Sequence, residues 1–158
     1  MIGARLRLDE QLCFAIYAAN NAIIRAYRPL LRELGITYPQ YLTLMTLWQH
    51  STSTVSQLAQ HLDLPANALT PLLQRLEDAG LIVRRRSPLD GRVVLVELTS
   101  VGIELERSAA AVQRTVECAT GLSPHALAAL RGELHVLVND MHAIAADHHP
   151  MEGKHYDP

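Results

Sequence analysis

A mainly α-helical chain with one small β-hairpin accounts for three features of these 158 residues. Apolar residues recur three and four apart near both ends of the chain, which is the period of a helix. In the middle, two short segments of the same periodicity are joined by the turn Asp63-Leu64-Pro65. Directly after them, two β-rich stretches flank Pro88, Leu89, Asp90 and Gly91, and Asp-Gly is a strong hairpin signal. Helix, tight turn, helix and basic hairpin together make a winged helix-turn-helix, framed here by N- and C-terminal dimerisation helices.

The elements follow in order. From Asp9 to Leu34, the positions Leu12, Ile16, Ala19, Ile23, Tyr27, Leu30 and Leu34 share one helical face. Pro29 is the place for a kink, and Gly35 is the expected stop. A second helix then carries Tyr41, Leu44, Leu47 and Trp48 and ends near His50. Ser53 or Thr54 is placed to cap a short third helix, with Leu58 and Leu62 facing inward. A fourth, over about 65–79, has Leu69, Leu72, Leu73 and Leu76 as its apolar face. Pro65 suits its first turn and Gly80 its end. The strands of the hairpin are LIVRRRSP and RVVLVEL. Thr99 caps a helix from about Val101 to Thr120 that stops at Gly121, and Ser123-Pro124 starts the last one.

The expected organisation is therefore one domain. Dimerisation helices occupy 8–34 and 101–148, the winged module 38–99 and a flexible tail 149–158. Leu6, Leu8 and Leu12, with Leu122, Leu127, Leu130, Leu134 and Leu137, would leave a large apolar patch on a monomer. A homodimer is the simplest cover for it.

Composition narrows the classes. Hydrophobic residues at 49% and charged ones at 19% give enough apolar surface for a real core. The longest strictly apolar runs are too short to span a bilayer, and no basic-then-apolar leader opens the chain, so a cytoplasmic protein with no membrane partner is expected. Two cysteines 105 positions apart make no metal knuckle by spacing, and a reducing compartment keeps them as thiols. Of eight histidines, His135 and His142 share a helix face, and His148, His149 and His155 fall in the tail. No acidic or cysteine ligand recurs beside them at zinc spacing, so neither a metal nor a cofactor is expected. No glycine-rich phosphate loop, nucleophile elbow or close carboxylate pair is present, which argues against an enzyme.

Net charge is −2, yet positions 84–92 read RRRSPLDGR, four arginines against one aspartate. That local excess, not the total, points to nucleic acid. The helix over 65–79 would enter a major groove, N-terminal half first, with Asn67, Thr70, Gln74 and Arg75 reaching bases or phosphates. Ala66 and Ala68 offer only apolar contacts to thymine methyls. Arg92, at the hairpin tip, suits a narrow minor groove, and Asp90 can steady that tip by pairing with an arginine. Strand alternation turns Arg84 and Arg86 one way and Arg85 the other, so the DNA-facing pair is taken as Arg84 and Arg86. Two such modules on a two-fold axis call for double-stranded operator DNA with an inverted repeat, its half-sites roughly 34–36 Å apart.

The stretch GLIVRRRSPLDGRVVLVELTSVG resembles the wing signature of the MarR family of dimeric winged-helix regulators, through Gly80-Leu81, Asp90, Arg92, Leu98-Thr99 and Gly102. LCFAIY, AYRPLL, LGITYPQYL and LTPLLQRLEDAGL resemble the organic hydroperoxide resistance repressors within that family. The resemblance covers most of positions 8–105. It implies a repressor released from DNA when an organic hydroperoxide oxidises an N-terminal cysteine, matched here by Cys13. In the two-cysteine class a disulfide then forms with a second cysteine near the partner's C-terminal helices, for which Cys118 is the candidate. Tyr27 and Tyr38 match tyrosines that hold the sensing thiol, and Tyr17 has a lesser part in the same pocket.

The chemistry is consistent with those assignments. An ordinary thiol is only about 3% thiolate at neutral pH, and the thiolate is the form that attacks peroxides. Phenol hydroxyls that donate to the sulfur favour the charged form, while apolar walls such as Leu12, Phe14 and Ile16 favour greasy peroxides but oppose charge. Tyr17 lies one turn from Cys13 on the same face. Tyr27, fourteen residues on, is roughly 21 Å away along a straight helix. It cannot reach its own chain's thiol unless the helix folds back, whereas an antiparallel first helix from a second subunit would bring it there. A site shared between Cys13 of one chain and Tyr27 and Tyr38 of the other is thus expected. Two alternatives stand beside it. One is a MarR-type regulator released by a small lipophilic or phenolic ligand, with Cys13 a buried hydrophobe. The other is a thiol peroxidase, disfavoured because the chain lacks alternating strand-helix units.

Overall fold

The computed structural model describes residues 6–147, so His148, His149, His155 and the tail expected over 149–158 lie outside it. The chain divides into two compact units, Met1–Val116 and Glu117–Pro158. In the first, a 3-10 turn (Leu8–Glu10) precedes α1 (Leu12–Glu33), α2 (Tyr38–His50), β1 (Thr52–Thr54), α3 (Val55–His61), α4 (Ala66–Asp78), β2 (Ile82–Arg86), β3 (Val94–Leu98) and α5 (Ser100–Ala119). The last residues of α5 and all of α6 (Pro124–Asp147) belong to the second unit.

The core is built from one face each of α1, α2, α3 and α4 with the inner residues of the strands. Leu31, Leu44, Leu47, Leu58, Leu69, Leu73, Leu76, Ile82 and Val96 are all essentially inaccessible. Each such aliphatic side chain is worth about 1.5–3 kcal/mol of transfer energy, so this row dominates the stability of the first unit.

The stripe expected along the first helix is split. Tyr27 is buried and Leu30 and Leu34 are half-buried, but Leu12, Ile16 and Ile23 are exposed in the single chain. Helical periodicity marks an apolar face without saying what covers it. α1 runs through Pro29 as one helix. Pro29 is exposed, so the carbonyl that its missing N–H leaves over can bond to water.

Local chemistry sets the other boundaries. Thr54, not Ser53, caps α3: the Gln57 N–H donates to its Oγ1 (3.1 Å), and its own N–H donates to Gln57 Oε1 (2.8 Å). Gly80 takes φ +69° just past α4, where its N–H donates to Glu77 O and that of Leu81 to Leu76 O. This αL cap costs a glycine little and a β-carbon more. Thr99 Oγ1 accepts from the Gly102 N–H (3.1 Å) to start α5, and Ser123 Oγ accepts from the Ala126 N–H (3.2 Å) to start α6. α5 sits close on the module beneath it. A β-carbon at Gly102 would stand 2.1 Å from the carbonyl oxygen of Leu81, and Trp48 Nε1 donates to Gly102 O at 2.9 Å.

The hairpin is one part of a three-stranded antiparallel sheet ordered β1-β3-β2. Ser53 of β1 and Arg84 of β2 both oppose Val96. β1 was not expected, since three residues are too few for alternation to show. Residues 87–93 form a loop closed on itself, with Ser87 N–H donating to Val93 O (2.8 Å) and Val93 N–H to Asp90 O (2.9 Å).

Candidate redox site and nucleic-acid interface

Cys13 stands in the first turn of α1, exposed, among the exposed Leu12, Phe14, Ile16 and Tyr17. Tyr27 lies at the other end of the same helix, facing the core. Tyr38 opens α2, and the structure brings these two tyrosines together, with ring centroids 5.2 Å apart. Tyr41, read from sequence only as part of the apolar face of α2, completes the cluster at 5.5 Å from Tyr27 and 6.2 Å from Tyr38. Its signal was the three-residue spacing in Tyr38-Pro39-Gln40-Tyr41, which puts both rings on one helical face. Burial pushes the Tyr38 phenol above its ordinary value, so its hydroxyl keeps its proton as a donor. Cys118 lies near the end of α5, in the second unit, and is exposed.

On α4, Leu69, Leu73 and Leu76 anchor the inner face, leaving Asn67, Thr70, Gln74 and Arg75 exposed on the outer one. Pro71 shares that outer face inside the helix without interrupting it. Arg84, expected to face DNA, is tied to α4. Its backbone N–H and Nε donate to Glu77 at 3.0 and 2.9 Å, and its Nη2 donates to Glu77 Oε2 (2.6 Å) and to Gln74 Oε1 (2.5 Å). Gln74 in turn donates to Asp78 (2.8 Å). Glu77 is held below the usual carboxylate range, chiefly by the hydrogen bond from the Arg84 side chain, with burial opposing. Sequence reasoning missed Glu77, because the contact joins the end of a helix to the next strand.

The other wing arginines divide similarly. Arg85 pairs with Glu97 across the sheet (2.5 Å), and Arg86 Nη1 donates to Gly91 O (2.6 Å). Asp90 meets an arginine through the main chain, its Oδ1 accepting from the Arg92 N–H at 2.9 Å. Among the described residues Asp90 forms no ion pair, and the Arg92 guanidinium stands exposed without one. Local positive charge is therefore smaller in space than along the chain, since Glu77 and Glu97 lie against it. Among the described residues no three His, Cys, Asp or Glu side chains gather as a metal site, and no helix is long and apolar enough to cross a membrane.

Residues 25–107 match the family model described as transcriptional regulator SarA/Rot. The organic hydroperoxide resistance transcriptional regulator of Bacillus subtilis is 41% identical over 137 residues, 87% of this chain and 93% of that protein. The chain is a winged-helix transcriptional regulator of the MarR family. Solved structures agree with this regulator's architecture. Overoxidised AbfR bound to DNA, from a protein of Staphylococcus epidermidis, superposes with a TM-score of 0.70 at 34% identity, covering 85% of this chain and 95% of that one. Disulfide-formed AbfR gives 0.62 at 30%, covering 89% and 93%. A cysteine mutant of MarR from E. coli, complexed with operator DNA, gives 0.72 at 29%, covering 80% and 92%. The regulator shares with them the six helices and small antiparallel sheet.

Proposed function

We propose that this regulator is a homodimeric repressor that leaves operator DNA when an organic hydroperoxide oxidises Cys13. The observation that carries this reading is the pairing of Tyr27 with Tyr38 at the far end of α1 from an exposed Cys13. The tyrosines are an α-helix length from their own chain's sulfur, roughly 21 Å. Antiparallel packing of two α1 helices brings each Cys13 to the partner's tyrosines and covers Leu12, Ile16 and Ile23. The thiolate attacks the peroxide, the O–O bond breaks, an alcohol leaves, and Cys13 becomes a sulfenic acid. Condensation with Cys118 of the partner subunit then forms a disulfide and releases water. The similarity to a hydroperoxide-resistance regulator and to a protein solved in a disulfide-formed state supports this route.

For DNA, Asn67, Thr70, Gln74 and Arg75 on α4 meet the major groove, and Arg92 enters the minor groove at the flank. Arg84 serves by fixing the angle between α4 and the wing, and Asp90 and Arg86 by stiffening the loop that presents Arg92. The relatives solved on DNA support this assignment.

The test uses an inverted-repeat duplex selected with the reduced protein and titrated before and after cumene hydroperoxide. The wild type is expected to lose the duplex on oxidation, and Cys13→Ser to keep it. Retention by the oxidised wild type would favour release by a non-oxidising ligand instead.

A further inference from the structure

At the C-terminal end of α2, a cavity of about 440 Å3 opens between that helix, β1, β3 and the first turns of α5, all within the first unit. None of the three clustered tyrosines lines it, and neither does a cysteine. Leu47, Trp48, Leu98 and Ile103 give it apolar walls, and its only ionisable groups are two carboxylates, those of Glu97 and Glu106. A volume of that order suits one small ligand, held by a few placed polar groups. The indole is pinned in the wall, because its Nε1–H donates to Gly102 O at 2.9 Å. Glu97 commits one oxygen: Oε1 accepts from Arg85 Nη2 and from Thr52 Oγ1, which leaves Oε2 for another donor. Glu106 is exposed, and among the described residues it is in no ion pair. Two carboxylates against one guanidinium leave a negative charge uncompensated beside an apolar surface. On the rim, Ser51 holds φ +61° and ψ −56°, a backbone state that L side chains rarely adopt. Strain of that kind gathers where a structure clamps a ligand.

We propose that this cavity binds a small organic cation, an alkyl or aryl amine, with its ammonium between Glu97 and Glu106 and its apolar body against Trp48, Leu98 and Ile103. The ammonium donates to Glu97 Oε2 and to the Glu106 carboxylate, and the indole adds cation–π attraction. Other ligand classes use only half of the site. An anion meets like charge, a neutral hydrocarbon leaves the charge unmatched, and a hydrated metal ion gains nothing from apolar walls. The site goes beyond the thiol switch and does not depend on it. Its walls come from α2, α5 and both β1 and β3, so a bound amine ties the wing sheet to the two helices that flank it.

Trp48 is the sole tryptophan, so its emission reports occupancy directly. The reduced full-length protein is titrated separately with hexylammonium, hexanol, hexanoate and Mg2+ at constant ionic strength, by fluorescence and by calorimetry. Hexylammonium is expected to change the emission saturably, with one ligand per chain and about ten-fold tighter binding than hexanol. Hexanoate should give no saturable change. In Glu106→Gln, whose exposed position leaves the fold intact by thermal melt, hexylammonium should bind about ten-fold more weakly, and hexanol as before. Equal affinities for hexylammonium and hexanol overturn the inference, as does an unchanged affinity in Glu106→Gln. A response to Mg2+ as strong as to hexylammonium overturns it in favour of a simple ion site. Absence of both an emission change and a heat of binding leaves no site at all.

Discussion

Arg84 and Glu77 join the wing to α4 through three hydrogen bonds, one from the Arg84 backbone N–H and two from its guanidinium, at 3.0, 2.9 and 2.6 Å. The pair ties the strand β2 to α4. Its energetics depend on the Glu77 carboxylate, whose folded-state pKa is lowered by that guanidinium. Stability from the pair is complete above the unfolded value, about 4.3, and is lost as pH falls through the lower folded value. Thermal melts between about pH 5 and pH 3 should show this decline in the wild type and a shallower one in Glu77→Gln. Glu97, lowered in the same direction by the Arg85 hydrogen bond, keeps the variant from becoming flat. Parallel profiles for the two proteins would show that the pair contributes nothing to acid stability.

Arg92→Ala tests the tip of the wing. Its guanidinium is exposed, and the loop behind it is closed by Ser87, Asp90 and Gly91. Binding should weaken most on duplexes whose flank carries a narrow A·T-rich minor groove, and the slope of log affinity against log salt should fall by about one. Thr70→Ala should instead change which bases are preferred. An unchanged salt slope in Arg92→Ala would place the tip away from DNA.

Gly102→Ala tests the seating of α5. The added methyl would stand 2.1 Å from the Leu81 carbonyl oxygen, and backbone gives way poorly. A destabilisation of about 1–3 kcal/mol is expected, typical of an overpacked site. Trp48, the sole tryptophan, donates to Gly102 O, so its fluorescence during urea unfolding reports the change directly. Wild-type stability in this variant would mean that α5 can lift without cost.

The disulfide is tested on a non-reducing gel after one equivalent of organic hydroperoxide. Wild type should run as a covalent dimer and Cys118→Ser as a monomer. A covalent dimer in both would assign the bond to two Cys13 thiols.

Much of this architecture was legible because its signals are local. Thr99, Ser123, Gly80 and Gly121 act within a few residues of where they sit, and the structure uses each of them as a helix boundary. The Leu69, Leu73 and Leu76 face of α4 followed from period alone. What escaped depends on distant partners. β1 is a strand only because β3 lies beside it. Glu77 matters only because Arg84 returns to it from the next element. Tyr41 looked like a core residue and is one, yet it also forms the third ring beside Tyr27 and Tyr38. The first half of α1 shows the same limit, since an apolar stripe reads alike whether it faces a core or another copy of the chain.

Tyr38 is the first residue of α2, and thirteen residues later that helix hands over, through Ser51, to β1. α2 is thus a lever roughly 20 Å long, with a phenol at one end and the wing sheet at the other. On the proposed reading, in which the partner's Cys13 meets Tyr38, a shift of an ångström beside that phenol would tilt a stiff rod and move its far end, where the sheet begins.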